Sequence, residues 1–231
     1  MLNDLLSPGP LIIIGVLVSI SAMSVYVSRV YLPAKIKNAY VKSITALAAA
    51  VETKESGTMG HAQRVAQLTV ETARRLGANQ RELERIRYGA LLMDIGKANV
   101  PQAVLNKSDP LTPEEWQTVK SHPKQGAEMV AAVPLLADLE EYVLHHHEYY
   151  DGSGYPDGLK GSGIPLASRI LAVAADYDAM TSERPYHTRV LAFEEACEEI
   201  RGGSGTKYDP TVVDAFMSML EEATAASAKA A

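Results

Sequence analysis

The stretch that decides the fold runs from His145 to Gly161 and reads HHHEYYDGSGYPDGLKG. Three adjacent histidines and a glutamate come first, and five glycines follow between Asp151 and Gly163. Glycine loses more conformational freedom in a helix than any other residue, so this density predicts an irregular loop. Imidazole and carboxylate groups are ligands for divalent metals such as zinc, iron and manganese. The stretch therefore predicts a metal-ligating run that leads into a glycine-rich loop.

Helical patterns lie on both sides of this loop, and no run of alternating apolar and polar residues demands a sheet. Thr112, Pro113 and Glu115 form the pattern of a capping box with proline at the first helical position. Asp209 and Pro210 predict the start of a last helix in the same way. We therefore expect an all-α domain, with helices over residues 61–76, 80–95, 112–120, 135–148, 167–180, 191–200 and 210–222.

Composition excludes several classes of protein. The chain has 231 residues, a formal net charge of −6 and 47% apolar residues, which is typical of a folded domain rather than a disordered chain. Its single cysteine, Cys197, excludes a disulfide framework and a cysteine-based zinc site, and it suits a reducing compartment. The acidic balance predicts no DNA or RNA partner.

The N-terminal region carries no charge between Asp4 and Arg29, and it predicts one transmembrane helix over residues 11–32. A cleaved signal peptide would need a basic start, and a buried helix of a soluble protein is the other alternative. Basic residues follow the span and none precedes it, so the positive-inside rule places the C-terminal bulk in the cytoplasm, with the protein in the cytoplasmic membrane. Residues 1–10 are then a short extracytoplasmic N-terminus.

A linking helix is predicted over residues 33–55, because apolar residues recur there at helical spacing. That stripe could pack on the following domain or pair two chains as a homodimer. We expect the domain itself to span residues 42–222 and the alanine-rich residues 223–231 to be a disordered tail.

Further candidate metal ligands lie near the ends of other predicted helices: His61, Asp94 in the segment Met93–Lys97, and His122 before Pro123. Side chains from separate helices can converge on one centre at such positions. His145 is expected to be a plain surface histidine.

The ordered set of motifs resembles the HD-GYP family of cyclic di-GMP phosphodiesterases. The resemblance covers about residues 42–220 and includes the histidine run, the loop 151–161 and the segment TSERPY at 181–186. It implies an HD-superfamily helical bundle. It also implies a bridged centre of two or three metals, where a water attacks a phosphodiester of cyclic di-GMP.

Carried over by position, the resemblance places one metal on Asp94, His122, His146 and His147, with Asp94 and Lys97 in catalytic roles. A first metal would need His61, Asp94, a histidine at 93 and an aspartate at 175, but these last positions are Met93 and Ala175. Asp176 is not expected to substitute, because one residue along a helix turns the side chain by about 100°. Position 57, where three-metal members have a glutamate, is glycine. We therefore expect one divalent ion, iron, manganese or another, rather than two.

The resemblance also implies that Lys97, Tyr155 and Arg184 contact the nucleotide. Lysine and arginine suit phosphate oxygens, and the glycine-rich loop lets backbone amides approach a ligand closely. His187 is given no role. The predicted function is a degenerate member of the family that binds nucleotide or metal without strong hydrolysis. An active phosphodiesterase is the first alternative, and a membrane-tethered interaction module, with diguanylate cyclases as candidate partners, is the second.

Overall fold

The computed structural model describes residues 8–183 and 189–230. Contacts within the chain divide it into two units, Met1–Ser43 and Ile44–Ala231. Three helical elements begin within the first unit: α1 (Pro8–Tyr26), a π-helical turn (Val27–Tyr31) and α2 (Leu32–Glu52), of which α2 ends in the second unit. The predicted linking helix over residues 33–55 thus ends three residues earlier, and residues 53–57 form turns and a bend.

Apolar side chains face outward on all sides of α1. Leu11, Ile12, Ile13 and Ile14 are consecutive, and each is between 49% and 66% exposed. Helices that are hydrophobic all round are typical of membrane spans or of buried core helices, and α1 is not buried. Among the described residues, Leu11–Glu52 is the one helical segment long and apolar enough to cross a membrane.

The second unit is built from helices and 3-10 turns, and the described residues contain no strand apart from an isolated bridge between Ser204 and Tyr208. The expected all-α fold is confirmed. The α-helices are α3 (His61–Arg75), α4 (Gln80–Leu92), α5 (Gln102–Leu105), α6 (Pro113–Lys120), α7 (His122–Ala131), α8 (Glu140–Leu144), α9 (Leu166–Thr181), α10 (Phe193–Gly202) and α11 (Pro210–Ala230). The 3-10 turns are Ile95–Asn99, Ala137–Leu139 and Gly161–Gly163.

The core lies where α3, α4 and α9 pack against one another, with α11 also against α3. Val65, Ile170, Leu171 and Phe216 are completely buried in it. Burial of such side chains contributes about 1.5–3 kcal/mol each, which makes this helical cluster the main source of stability.

Local start signals in the sequence form the caps they predict. Thr112 Oγ1 accepts a hydrogen bond from the Glu115 amide at 3.2 Å, and the Glu115 carboxylate accepts one from the Thr112 amide at 2.7 Å. At the start of α11, the Asp209 carboxylate accepts a hydrogen bond from the Thr211 amide at 2.8 Å. Both helix starts are confirmed.

The helix predicted over residues 135–148 is wrong in extent. Only Glu140–Leu144 is α-helical, and residues 145–147 form a turn. The Nδ1 atom of His146 donates to the Val143 carbonyl at 2.6 Å, and in a continuing helix that carbonyl would accept the amide of residue 147 instead. A side chain thus replaces the backbone donor and ends the helix.

Two further differences concern short or terminal helices. The sequence patterns did not predict α5 or α7. The last helix does not end near Glu222, because α11 continues to Ala230 through the segment expected to be disordered. Alanine has the highest helix propensity of all residues, which favours this continuation.

Candidate metal centre

The candidate centre forms where the 3-10 turn after α4 packs on the start of α7. Gly96 makes this approach so close that an added Cβ would lie 2.0 Å from the His122 carbonyl oxygen. Only glycine fits there, and its absence of a side chain brings Asp94 beside His122. The turn after α8 supplies His146 and His147 to the same place.

His122 and His146 are held in the same way, each by the last turn of the helix that precedes it. Nδ1 of His122 donates to the Val119 carbonyl at 2.8 Å, and Nδ1 of His146 donates to the Val143 carbonyl at 2.6 Å. A carbonyl only accepts, so Nδ1 carries a proton in both rings, and in the neutral form of each ring the lone pair is on Nε2. The two Nε2 atoms face each other at 3.3 Å, an arrangement that a cation satisfies.

Asp94 completes the donor set. Its Oδ1 lies 3.2 Å from His122 Nε2 and 4.0 Å from His146 Nε2. Two ligands of a tetrahedral ion with bonds of 2.0–2.1 Å are about 3.3 Å apart, close to the shorter of these distances. A nitrogen of His147 lies within 4.8 Å of those of His122 and His146. The three imidazoles and one carboxylate therefore fit a single divalent ion.

The charges of the centre suit a cation. Burial, together with the neighbouring His122, lowers the pKa of His146 to about 4, so its ring is neutral at pH 7. A neutral imidazole is the form that ligates metals. Burial alone would raise the pKa of Asp94, but Lys97 and His122 outweigh it and hold that pKa well below its ordinary value. Asp94 is therefore an anion.

His61 is oriented by a carboxylate that the sequence analysis gave no role. Its Nδ1 donates to Asp178 at 2.7 Å, while its Nε2 lies 3.8 Å from Asp94. Arg64 also donates to Asp178, at 2.9 Å from Nη2. Burial would raise the pKa of Asp178, but its bonds from His61 and Arg64 hold that pKa below its ordinary value. A carboxylate behind a histidine is a common way to aim a metal ligand.

Lys97 lies beside the centre in an ion-pair network. Its Nζ is 2.9 Å from Glu55 and 3.2 Å from Asp94. Glu55 is buried, and the sequence analysis did not single it out. Its neighbour Lys54 donates to the Val100 carbonyl at 2.8 Å, which holds the end of the 3-10 turn. The segment after α2 thus supports the turn that carries Asp94 and Lys97.

A cleft of about 520 Å³ opens next to the centre and is lined by Trp116, His122, His147 and Tyr155, among others. This volume is in the usual range for small-molecule sites. The rings of His147 and Tyr155 stack at 4.9 Å with an angle of 16°. Lys120 Nζ lies 5.0 Å from the Tyr155 ring centroid and 5.7 Å from that of Trp116. Trp116 and Lys120 were not predicted, although a tryptophan four residues before a lysine in a predicted helix indicates that the two side chains lie on one face.

Of the remaining candidates, Tyr155 lies at the cleft, whereas Arg184 and His187 lie outside the described residues. His145 is not the surface histidine that was expected: it is 9% exposed.

Comparisons with known proteins show the family to which the chain belongs. The HD domain family matches residues 45–212. A cyclic di-GMP phosphodiesterase of Thermotoga maritima is 40% identical over 175 residues, covering 75% of this chain and 47% of the relative. The cyclic di-GMP phosphodiesterase response regulator RpfG of Xanthomonas campestris is 36% identical over 178 residues, covering 76% of this chain and 47% of the relative. The chain belongs to the HD-GYP family.

A solved structure of a cyclic GMP-AMP specific phosphodiesterase of Vibrio cholerae has a fold similar to that of this chain, with a TM-score of 0.60 and 20% identity, covering 77% of this chain and 48% of the other. The present chain spans about half the length of the curated HD-GYP relatives described above.

Met93 and Ala175 are the two positions at which this HD-GYP domain lacks an expected metal ligand. Met93 is 1% exposed and offers only a thioether, a poor ligand for hard or borderline ions. Ala175 offers no donor. The neighbouring Asp176 accepts a hydrogen bond from the Tyr208 hydroxyl at 2.9 Å and pairs with Lys207 at 2.8 Å. The Asp176 carboxylate is thus bound by Lys207 and Tyr208, which precede α11, and not by the histidines.

Proposed function

We propose that this domain binds a cyclic dinucleotide and one divalent ion at the centre that contains Asp94, and that it hydrolyses the nucleotide weakly or not at all. One observation carries the proposal: the donor set for one metal is complete, whereas the set around His61 is incomplete. The complete set is Asp94, His122, His146 and His147. The relatives named above act on cyclic di-GMP, so we take that nucleotide as the first ligand to test.

The ion is held by the side chains that the turns fix. His122 and His146 present Nε2 because their Nδ1 atoms are bound to carbonyls, and Asp94 supplies negative charge. A divalent ion held there would polarise a phosphoryl oxygen of the ligand as a Lewis acid. Lys97 adds positive charge at 3.2 Å from Asp94, which favours a phosphate beside the ion.

The bases of the nucleotide are bound in the cleft. Trp116 lines this cleft and is 46% exposed, and the stacked rings of Tyr155 and His147 also line it. Stacking on aromatic rings binds nucleobases with little demand on their sequence. Lys120, which lies near both rings, offsets the negative charge of the phosphates.

Hydrolysis is disfavoured because in-line displacement in such centres uses two metals about 3.5–4 Å apart, one for the attacking and one for the leaving oxygen. Met93 and Ala175 remove two of the donors of one metal, and Asp176 is bound to Tyr208 and Lys207. The protein would then act as a sensor whose signal is occupancy rather than turnover.

One observation favours the alternative of an active phosphodiesterase. His61 keeps both its orientation by Asp178 and its approach to Asp94 at 3.8 Å, so part of the second donor set is retained. Weak binding of a further ion there would restore turnover at high metal concentration.

The membrane anchor is part of the proposal. The exposed apolar surface of α1 supports a single span with the domain in the cytoplasm. The same detergent-solubilised protein can be tested for pairing of two chains and for binding to a diguanylate cyclase. Fractionation of cells that express the full chain tests the anchor: it is overturned if the protein stays in the supernatant after ultracentrifugation.

The deciding experiment compares the full chain in detergent, purified anaerobically, with its His122→Asn and His61→Asn variants. Elemental analysis counts the bound metal per chain. Calorimetry measures the binding of cyclic di-GMP and of 3′3′-cGAMP, and chromatography measures their turnover. We expect nucleotide binding, negligible turnover, and loss of one metal equivalent in His122→Asn but not in His61→Asn. Rapid turnover, or an equal loss in both variants, overturns the proposal. Absence of both nucleotide and metal favours the interaction module.

A further inference from the structure

A second cluster of ligand atoms lies next to the histidine turn. It consists of His145 on the turn, Glu148 just after it and Asp157 in the glycine-rich loop, and one ligand atom from each lies within 4.8 Å of the others. None of these three residues belongs to the donor set of Asp94, His122, His146 and His147.

Glu148 is the residue that marks this cluster as a site. Its side chain is completely buried, and its Oε1 accepts a hydrogen bond from the Asp157 amide at 2.8 Å. Its Oε2 has no hydrogen-bond partner within the described part of the chain, and the same is true of the buried Nδ1 of His145. A buried polar atom without a partner is unfavourable, and His145 Nδ1 is such an atom that faces a carboxylate oxygen of Glu148 and one of Asp157.

The distances leave room for a cation. His145 Nδ1 lies 3.7 Å from Glu148 Oε1 and 3.7 Å from Asp157 Oδ2, which is too long for hydrogen bonds. Ligands of a tetrahedral zinc ion are about 3.3 Å apart, so each of these two distances would have to shorten by about 0.4 Å for the ion to bind. Asp157 is free to make such a shift, because 53% of its side chain is exposed.

We propose that His145, Glu148 and Asp157 bind a divalent cation of the zinc class, at a site separate from the centre at Asp94. One imidazole and two carboxylates are a donor set that zinc accepts, with a fourth position left for water. The ion neutralises the buried carboxylate and ties the histidine turn to the loop that carries Tyr155. This inference does not rest on the proposed function, since it holds whether or not nucleotide binds.

The test uses the full chain in detergent with the His122→Asn change, which removes the first centre. Zinc retained against a competing chelator is counted per chain by elemental analysis. Asp157→Asn and His145→Asn are then added separately, with Asp151→Asn as the matched control, because Asp151 is an exposed carboxylate of the same loop. Far-UV circular dichroism checks that each variant is folded.

We expect His122→Asn to retain one zinc per chain, and the control Asp151→Asn to leave that zinc in place. Asp157→Asn or His145→Asn should weaken zinc binding at least about tenfold, since each removes one of three protein ligands. Equal zinc binding in all four proteins overturns the proposal. It is also overturned if His122→Asn holds no zinc.

Discussion

Nδ1 of His61 on α3 lies 2.7 Å from the carboxylate of Asp178 on α9, and Arg64 holds the same carboxylate from the next turn of α3. This contact joins two core helices across more than a hundred residues of sequence and fixes the ring of His61 toward Asp94. Asp178 is therefore both a packing residue and a positioning residue for His61.

Replacing this carboxylate should destabilise the domain. Asp178→Asn removes the negative charge that Arg64 pairs with in this contact, and since the Arg64 side chain is 43% exposed we expect a loss of roughly 2 kcal/mol rather than the full cost of a buried pair. Urea denaturation measures it. The matched control is Asp176→Asn on the same helix, whose pair with Lys207 is about one-third exposed and should cost below about 1 kcal/mol. Equal losses would contradict the role of Asp178.

Restoring the two missing ligands should restore a second metal. The double variant Met93→His with Ala175→Asp is expected to bind one more equivalent of metal and to raise hydrolysis of cyclic di-GMP at least about tenfold, because two metals then clamp the displacement. Metal analysis and chromatographic turnover measure both. Met93→Leu with Ala175→Asn is the control of similar volume, and it should gain neither. A double variant that folds but gains no metal shows that the ligand assignment is wrong.

Acid should destabilise the metal-free domain through His146. Its pKa is about 4 when folded and near 6.5 in an unfolded chain, so between these values the unfolded state binds more protons. Stability is therefore retained above pH 6.5 and falls as the pH drops toward 4, by up to about 3 kcal/mol from this group. Denaturation of chelator-treated protein across this range, compared with His146→Gln, isolates the contribution. Parallel pH curves for the two proteins would contradict it.

Trp116 should contribute to nucleotide affinity more than to folding. Trp116→Ala removes a stacking surface worth about 1–3 kcal/mol per base, so cyclic di-GMP should bind about tenfold more weakly. Its stability should change by less than about 0.5 kcal/mol, because the side chain is 46% exposed. Leu135→Ala, at an apolar residue 77% exposed outside the cleft, is the control and should leave affinity unchanged. Calorimetry measures affinity, and unaltered binding in Trp116→Ala removes tryptophan from the binding site.

Gly96 should tolerate no side chain. Gly96→Ala places a Cβ 2.0 Å from the His122 carbonyl oxygen, so we expect at least about 3 kcal/mol of destabilisation or a misfolded protein. Gly163→Ala is the control, since no heavy atom lies within 4 Å of its added Cβ, and it should change stability by less than about 0.5 kcal/mol. Similar melting temperatures for both variants would rule out this packing account.

The sequence predicted the starts of those helices whose capping hydrogen bonds join residues close together in the chain. Thr112 with Glu115 and Asp209 with Thr211 form their caps from residues a few positions apart, so the sequence alone is enough to place them. The helix at 135–148 was predicted too long because its end depends on one side-chain bond, from His146 to Val143. Apolar periodicity carries no information about such a bond.

The sequence predicted only those residues of the candidate site that lie at positions of the family motifs. Asp94, His122, His146 and His147 were assigned by position. Asp178, Glu55 and Lys120 enter through contacts between elements far apart in the chain, at His61, Lys97 and Tyr155 respectively. Such contacts follow from helix packing, which no local pattern encodes.

The close packing at Gly96 has a consequence for how family signatures are interpreted. Gly154 in the glycine-rich loop is under the same constraint, since an added Cβ would lie 2.2 Å from the Tyr149 amide nitrogen. Both glycines are therefore needed for the chain to fold, whatever chemistry it performs. A member that loses its catalytic metal would keep them under selection for stability alone. The glycines of the Asp-Ile-Gly-Lys and Gly-Tyr-Pro motifs thus report ancestry and close backbone packing, and their presence in a sequence does not by itself predict hydrolysis.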